Sequence, residues 1–379
     1  MSLSVTGGTC LLPEGFAPAD LRIADGVIAP PGPASRRLDA SGLLVLPGIV
    51  DLHGDAFERQ IQPRPGVGFP IPLALADTEA QLLANGITTA YHGVTLSWEP
   101  GLRGAETWTA LLDALHAARP HSRCDMRVHL RWEAFNIDAL GLALHAIGVG
   151  RVHLLAFNDH TPAILRKLDD PAALAKYSER AGVSAAAFRA LAERAAARRA
   201  EVAPAQARVA AAARAAGLPM ASHDDDSTAA RDGFRRHGAR LCEFPMSDSV
   251  ARAAAAAGDW VVMGGPNVVR GGSHMGWGSA ARMAEARVCR ILTSDYYYPA
   301  LRQAPFLLAA QGGLDLQDAW ALASANPAAA AGLTDRGSLA EGKRADIVLV
   351  AEEDSPRVVA TFAQGRLAFS TAEGIDRLS

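Results

Sequence analysis

The middle of the chain alternates short apolar runs with longer stretches rich in Ala and Leu. From Gly48 to about Ala300 the apolar runs have the length of strands, and the stretches between them have the length and composition of helices. Repeated strand-helix units of this kind predict an α/β fold with a parallel sheet. The eight strand candidates are 48–53, 87–96, 126–132, 152–157, 219–223, 239–244, 260–264 and 290–294. Eight units predict closure into a (β/α)8 TIM-like barrel rather than an open sheet.

Both ends of the chain show strand and turn patterns without a helical period. Residues 1–46 are rich in Gly and Pro and carry short apolar runs between turn residues, and the apolar runs 345–350 and 358–362 flank another turn. We therefore expect residues 1–46 and 337–379 to combine into one small β-sandwich domain built from both termini. Residues 47–336 would then form the barrel.

The longest helical stretch covers residues 184–216 and is rich in Ala and Arg. Pro204 lies inside it, and proline lacks the amide donor that a helix interior needs. The sequence therefore predicts two helices divided at Pro204, which form a solvated outer cover of the barrel.

Charge and cysteine usage narrow the class of protein. The chain has 37 Lys and Arg against 40 Asp and Glu, a formal net charge of -3, so it lacks the global basic field that nucleic acid or an anionic membrane would favour. Its four cysteines lie far apart, which argues against a zinc knuckle and a disulfide framework. Neither a signal segment nor an apolar run of about 18 residues is present. We expect a cytoplasmic protein, and the number of subunits stays open, a homodimer included.

Candidate metal ligands follow the first predicted barrel strand. His53 and Asp55 are two residues apart, and alternate residues of a strand face the same side, so both can point at one ion. A His-x-Asp pair alone is a weak signal. Its position directly after an apolar strand at the start of a barrel favours a pair of metal ligands over a structural pair.

Polar residues also follow the later strands. Catalytic groups of TIM barrels gather at the carboxyl ends of different strands, and imidazole and carboxylate groups bind divalent metals. The sequence therefore predicts a metal site at that end of the barrel. Its candidate ligands are His53, Asp55, Glu133, His160, His223 and Asp295.

Two residues near these strand ends leave alternatives open. His160 is either a ligand or a group that hydrogen-bonds to a ligand, and Glu243 is either a ligand or a carboxylate at the edge of the core. The other histidines, His92 and His129 among them, are expected to be structural or solvent-facing.

Several runs resemble the amidohydrolase superfamily and, within it, the PhnM-type hydrolases of phosphonate utilisation. The superfamily resemblance rests on PGIVDLH at 47–53, the Ser-Asp pair at 294–295 and GSLAEGKRAD at 337–346. The narrower resemblance rests on DLHGDAFE at 51–58, PRPGV at 63–67, NDHTP at 158–162, SHDD at 222–225 and PNVVRGGSH at 266–274. The resemblance covers nearly the whole chain.

This resemblance implies a (β/α)8 barrel with a β-sandwich from both termini. It also implies hydrolysis of α-D-ribose 1-methylphosphonate 5-triphosphate, a phosphorylated sugar phosphonate, to pyrophosphate and the corresponding 5-phosphate. The candidate residues agree with this reaction. One or two divalent ions, zinc or manganese, would lower the pKa of a bound water, and Asp295 could accept its proton. Glu133 is the candidate bridge between two ions.

A triphosphate substrate also needs fixed cations and backbone donors. Guanidinium groups bind phosphate oxygens in a fork, and glycines let backbone amides approach closely. The candidate substrate-binding residues are Arg64 in a Pro-rich loop, Arg131 beside Glu133, and Arg270 with His274 in a Gly-rich loop.

Two alternatives stay open. Sites of this kind also hydrolyse C-N bonds with a metal-activated water, as deaminases, cyclic amidases and deacetylases do. A barrel without metal, kept as a binding or scaffold subunit, is the remote alternative.

Overall fold

The computed structural model describes residues 2–273, 276 and 278–379, and in them sixteen strands form two sheets of eight. The strands of the terminal sheet are β1 (Ser2–Leu12), β2 (Gly15–Ala24), β3 (Val27–Ala29), β4 (Arg36–Asp39), β5 (Leu44–Pro47), β14 (Ile347–Ala351), β15 (Arg357–Ala363) and β16 (Arg366–Ser370). Those of the barrel are β6 (Ile49–Gly54), β7 (Ile87–Leu96), β8 (Asp125–Glu133), β9 (Leu154–Asn158), β10 (Met220–His223), β11 (Leu241–Glu243), β12 (Trp260–Gly264) and β13 (Cys289–Thr293).

The barrel strands pair in chain order from β6 to β13, and all of these pairs are parallel. The last strand returns to the first, because Asp295 N donates to His53 O at 2.9 Å and Asp55 N donates to Asp295 O at 2.9 Å. The eight predicted strands and the closed barrel are therefore confirmed.

Asp51 reinforces this closure with its side chain. The buried carboxylate of Asp51 accepts hydrogen bonds from Ser294 N at 3.0 Å, from Ser294 Oγ at 2.5 Å and from His53 N at 3.2 Å. These bonds link the end of β6 to the residue after β13, so the first and last strands hold one another at the edge where the polar residues gather.

The barrel strands are buried over most of their length because both faces are covered. All ten residues of β7 are buried, as expected for a parallel strand with the barrel interior on one side and helices on the other. The barrel interior is packed with residues from most of the strands, such as Val50, Leu52, Tyr91, Leu154 and Val262.

The helices cover the barrel from outside and connect its strands. They are α1 (Glu58–Ile61), α2 (Ile71–Ala84), α3 (Ala105–Ala118), α4 (Leu140–Gly148), α5 (Thr161–Arg166), α6 (Pro171–Ala181), α7 (Ala185–Ala197), α8 (Arg199–Ala215), α9 (Thr228–His237), α10 (Asp248–Ala256), α11 (Gly265–Val269), α12 (Ala280–Glu285), α13 (Tyr298–Ala310), α14 (Leu316–Ala321), α15 (Ala325–Ala330) and α16 (Ala372–Asp376). Within the described residues, no helix has the length and apolar character that crossing a bilayer requires.

The break predicted at Pro204 is in the wrong place. The segment does form two helices, but they meet at Arg198, and Pro204 lies inside α8. Pro204 is the sixth residue of that helix, where its ring removes one amide donor without ending the helix.

The terminal sheet combines both ends of the chain, as predicted. β14 pairs antiparallel with β5, which joins the last strands to the first ones. The register of β1 against β2 shifts between Val5 and Gly8, and at the same place the partner on the other edge of β1 changes from β4 to β5. A separate hydrophobic cluster, including Val5, Leu38 and Phe362, fills this unit. The proposed domain boundaries at residues 46 and 337 stay a prediction.

Candidate active site

The polar residues at the carboxyl ends of the barrel strands surround a cavity of about 260 Å³, called here the central cavity. Its lining includes His53, Asp55, Arg131, His223, Asp224, Asn267 and Asp295. These side chains come from strand ends far apart in sequence, and the barrel brings them to one face.

One group of possible metal ligands consists of His53, His223 and Glu243, which offer ligand atoms within 4.8 Å of one another. Nδ1 of His53 lies 3.1 Å from Oε2 of Glu243, and both side chains are buried. Oε1 of Glu243 has no hydrogen-bond partner among the described residues. A buried carboxylate oxygen without a partner is unfavourable, so a cation bound to this group would stabilise it.

A second group consists of His160, His223 and Asp224, again with ligand atoms within 4.8 Å of one another. Asp224 Oδ1 lies 3.1 Å from His223 Nδ1, and Asp224 Oδ2 lies 3.5 Å from His160 Nε2. Burial opposes ionisation of Asp224, but the imidazoles of His223 and His160 lower its pKa well below the ordinary value. His223 belongs to both groups, and because a neutral imidazole has one free lone pair, it can be a ligand of one ion at a time.

Burial favours the neutral form of two histidines of the site, His53 and His223. Burial, followed by the nearby guanidinium of Arg131, lowers the pKa of His53 well below its ordinary value. Burial also lowers the pKa of His223. Neutral imidazole is the form that binds metal ions. The donor set of neutral imidazoles and carboxylates therefore fits a divalent transition metal.

Arg131 brings a fixed positive charge into the middle of the site. Its Nη1 lies 3.3 Å from Asp55 Oδ2 and its Nη2 lies 3.1 Å from His223 Nε2, while the residue is only 5% exposed. Gly93 on the neighbouring strand leaves room for it, because a Cβ at Gly93 would lie 3.1 Å from Arg131 Cδ.

Asp295 faces the central cavity from the end of the last strand. Burial, followed by the negative charge of Asp55, raises the pKa of Asp295 to about 7. Its backbone φ of 53° is left-handed, as are those of Asp224 (57°) and Phe244 (51°). Each of these residues follows the end of a barrel strand. Such backbone is uncommon for residues other than glycine and concentrates at functional sites.

The predicted metal ligands do not all reach these two groups. His53, His160 and His223 do, whereas Asp55, Glu133 and Asp295 lie outside both. Glu133 is buried, and its carboxylate accepts hydrogen bonds from His160 N at 3.2 Å, Thr161 N at 3.2 Å and Thr161 Oγ1 at 2.6 Å. These bonds tie it to the start of α5, and its role as a bridge between metals stays a prediction.

The predicted substrate-binding residues do not all lie at the central cavity. Arg131 lines the central cavity, whereas Arg64 and Arg270 are exposed and outside its lining. Arg64 faces Val67 across a tight turn, and Arg270 ends α11. His274 lies outside the described residues.

Two residues of the candidate ligand groups were not selected from the sequence. Asp224 is next to His223 in the SHDD run, and that proximity was the available signal. Glu243 was left as either a ligand or an edge carboxylate, and the structure places it against His53. His129, expected to be structural, is buried with its Nε2 3.8 Å from Glu243 Oε2.

Comparison with known proteins gives the family. Residues 235–368 match the model described as the Amidohydrolase family. The chain is 32% identical over 324 residues to the alpha-D-ribose 1-methylphosphonate 5-triphosphate diphosphatase of Escherichia coli (strain K12), which covers 84% of this chain and 86% of that protein. The chain belongs to the PhnM-type amidohydrolases.

Other comparisons place this PhnM-type chain among proteins with the same fold. A 57-residue segment is 46% identical to the D-hydantoinase of Rhizobium radiobacter and covers 14% of this chain and 12% of that protein. The structure of dihydropyrimidinase from Brevibacillus agri aligns with a TM-score of 0.60 at 14% identity over 98% of this chain and 95% of that one. An amidohydrolase from a Sargasso Sea environmental sample aligns at 0.64 and 15% identity, over 98% and 93% of the two chains.

Proposed function

We propose that this PhnM-type hydrolase cleaves the triphosphate of a phosphorylated sugar phosphonate, releasing pyrophosphate and leaving the 5-phosphate. The reaction is that named for the Escherichia coli relative. Pyrophosphate release breaks a phosphoric anhydride, so the site must accept several negative charges.

The observation that carries this proposal is the guanidinium of Arg131 in the central cavity. It is buried and lies 3.3 Å from Asp55 and 3.1 Å from His223, both of which line the central cavity. A buried guanidinium recognises phosphate oxygens through charge-assisted hydrogen bonds. Asp55 already pairs with that charge, so the guanidinium supports a phosphate substrate, and the substrate test below distinguishes it from the C-N bond alternative.

The two ligand groups that share His223 are the proposed seat of one or two divalent ions, zinc or manganese. A divalent cation bound there supplies Lewis acidity for activating water and polarising a phosphoryl oxygen. Glu243 lies 3.1 Å from His53, and Asp224 lies 3.1 Å from His223 and 3.5 Å from His160, so these carboxylates can fix the orientation of the imidazoles.

Asp295 is the proposed general base. It faces the central cavity, and its backbone is fixed by hydrogen bonds to both His53 and Asp55. It therefore stands where it can accept the proton of an attacking water and later release it to solvent. Arg131 would hold the phosphate oxygens in line for attack while charge builds up on the leaving pyrophosphate.

The test is pyrophosphate release from a ribose 5-triphosphate substrate, with the metal content of the same sample determined. Release that needs the metal supports the proposal. Metal-loaded protein that leaves triphosphates intact and hydrolyses cyclic amides would support the C-N alternative. Protein that carries no metal and gains none on incubation with zinc or manganese would support the binding or scaffold alternative.

We further propose that the enzyme works in the cytoplasm, with neither nucleic acid nor membrane as a partner, and that a homodimer is its assembly. All four cysteines are buried and free, which agrees with a reducing compartment. Light scattering of the purified protein tests the proposed assembly.

A further inference from the structure

A second, larger cavity lies directly beside the central one. Its volume is about 740 Å³, and residues of α5, α8 and α9 contribute to its lining; it is called here the α5–α9 cavity. His223 and Asp224 line both cavities. The two spaces therefore meet on either side of a pair of candidate metal ligands.

The central cavity is small for the proposed substrate. Pockets for small molecules usually measure about 300 to 1,000 Å³, and the central cavity measures about 260 Å³. A sugar with a triphosphate at one end and a phosphonate at the other must therefore extend beyond it. The α5–α9 cavity is the adjoining space on the side of His160.

Three cationic side chains line the α5–α9 cavity. Arg166 and Lys167 come from the end of α5, and Arg236 comes from α9; all three are exposed. Among the described residues none of the three has an ion-pair partner. Arg231 and Arg235 of the same helix α9 behave differently, because both pair with buried Asp259 at 3.0 Å and 2.6 Å. Helix α9 thus directs two arginines inward and leaves Arg236 facing the cavity.

Four carboxylates also line this cavity, one more than the three cations, and a divalent ion held by His160, His223 and Asp224 would make the lining positive overall. Asp224 is held by His223 and His160, and buried Asp225 accepts a hydrogen bond from Ser222 Oγ at 2.5 Å. Asp159 and Asp226 are the other acidic lining residues. An apolar wall that includes Val202 and Phe234 completes the cavity. Such a surface suits an anion attached to a sugar.

We propose that the α5–α9 cavity binds one anionic phosphorus group of the substrate, through Arg166, Lys167 and Arg236, while the reacting phosphorus lies in the central cavity. This inference rests on the proposed function. The bound group is a phosphorus oxyanion, and it comes either from the phosphonate end of the sugar or from the pyrophosphate portion of the triphosphate.

The experiment measures binding of two probes, methylphosphonate and inorganic pyrophosphate, by titration calorimetry on the metal-loaded protein. Metal content is determined before and after each titration, because pyrophosphate also binds free metal ions. The test variant combines Arg166→Gln with Arg236→Gln. The control combines Arg208→Gln with Arg252→Gln, two exposed arginines of α8 and α10 outside the cavity lining, so both variants lose the same charge.

We expect the dissociation constant of one probe to rise about tenfold in the test variant and less than twofold in the control. If only the dissociation constant of methylphosphonate rises, the cavity binds the phosphonate end. If only that of pyrophosphate rises, the cavity binds the polyphosphate. Equal changes in test and control, or no change for either probe, would overturn the proposal.

These outcomes are separable from failure of the proposed function. Binding is measured without turnover, so a selective loss in the test variant would stand even if the wild-type enzyme released no pyrophosphate from a sugar triphosphate. In that case the anion site would be retained and the proposed reaction abandoned.

Discussion

The guanidinium of Arg131 faces the imidazole of His223, with Nη2 of the arginine 3.1 Å from Nε2 of the histidine. The same guanidinium reaches Asp55 at 3.3 Å. A permanent cation therefore stands next to a candidate metal ligand in the lining of the central cavity. This position suits an anionic substrate that bridges the metal site and the guanidinium.

Replacing Arg131 should weaken catalysis more than it weakens the metal site. We expect Arg131→Gln to lower kcat/KM for a ribose 5-triphosphate substrate by roughly 100-fold, because a charge-assisted contact to phosphate is lost. Arg131→Lys keeps the positive charge but loses the forked guanidinium, so its kcat/KM should lie between those of wild type and Arg131→Gln. Steady-state kinetics with metal analysis checks this. An Arg131→Gln enzyme with unchanged kinetics would show that the guanidinium does not bind substrate.

Gly93 should be required for the placement of Arg131 and His53. A Cβ at this position would lie 3.1 Å from Arg131 Cδ and 3.5 Å from His53 Nε2. We expect Gly93→Ala to lower kcat/KM at least about tenfold, because small displacements of catalytic groups are costly. The control is Gly141→Ala at an exposed position of α4, where a Cβ would have no neighbouring atom within 4 Å. This variant should stay fully active and gain about 0.5 kcal/mol of stability. Equal activity of both variants would contradict the prediction.

Arg231 should stabilise the strands that carry His223 and Glu243. It is 1% exposed, and it donates to Asp259 Oδ2 at 3.0 Å and to Leu241 O at 3.1 Å. Arg231→Met removes a buried partner of Asp259 and should cost about 3 kcal/mol, measured by chemical denaturation.

Arg240 provides the matched control for Arg231. It lies 3.5 Å from the same Asp259, but its side chain is 62% exposed. Arg240→Met should therefore change the free energy of unfolding by about 0.5 kcal/mol or less. Similar losses in both variants would mean that burial does not decide the strength of these pairs.

His92 should make the protein sensitive to acid. Burial lowers its pKa from 6.5 to about 4, and neither ring nitrogen has a partner among the described residues. Between these two pKa values the unfolded chain binds a proton that the folded protein does not, so stability falls as pH falls from 6.5 toward 4.

The His92 prediction is tested by comparing wild type with His92→Leu, both stripped of metal, at pH 7 and pH 5. Wild type should lose about 2 kcal/mol more than the variant over this interval. The other buried histidines are present in both proteins, so their effects cancel in the difference. Equal losses would show that His92 is not kept neutral by burial.

The sequence was sufficient for the barrel because strands covered on both faces form short runs with few charged residues. The run at 87–96 illustrates this: all ten residues are buried, and the prediction and β7 have the same bounds. The helix break was misplaced because one proline removes only one amide donor, and the buried face of α8, which includes Ala205 and Val209, keeps the helix together around Pro204.

The candidate site was predicted less completely than the fold. His53 and His223 could be selected because strand ends of a barrel meet at one face. Which carboxylate faces which imidazole depends on side-chain packing and on backbone such as the left-handed φ of Asp224, and neither can be read from residue type. The roles of Glu133 at the start of α5 and Glu243 against His53 therefore required the structure.

The most direct test of the proposed function is pyrophosphate release from a ribose 5-triphosphate substrate by wild type and by Asp295→Asn, with bound metal measured in both. The account predicts metal-dependent release by wild type, and a loss of at least about 100-fold in the variant with its metal retained. Metal-loaded wild type that releases no pyrophosphate, or an Asp295→Asn enzyme that keeps metal and full rate, would contradict it.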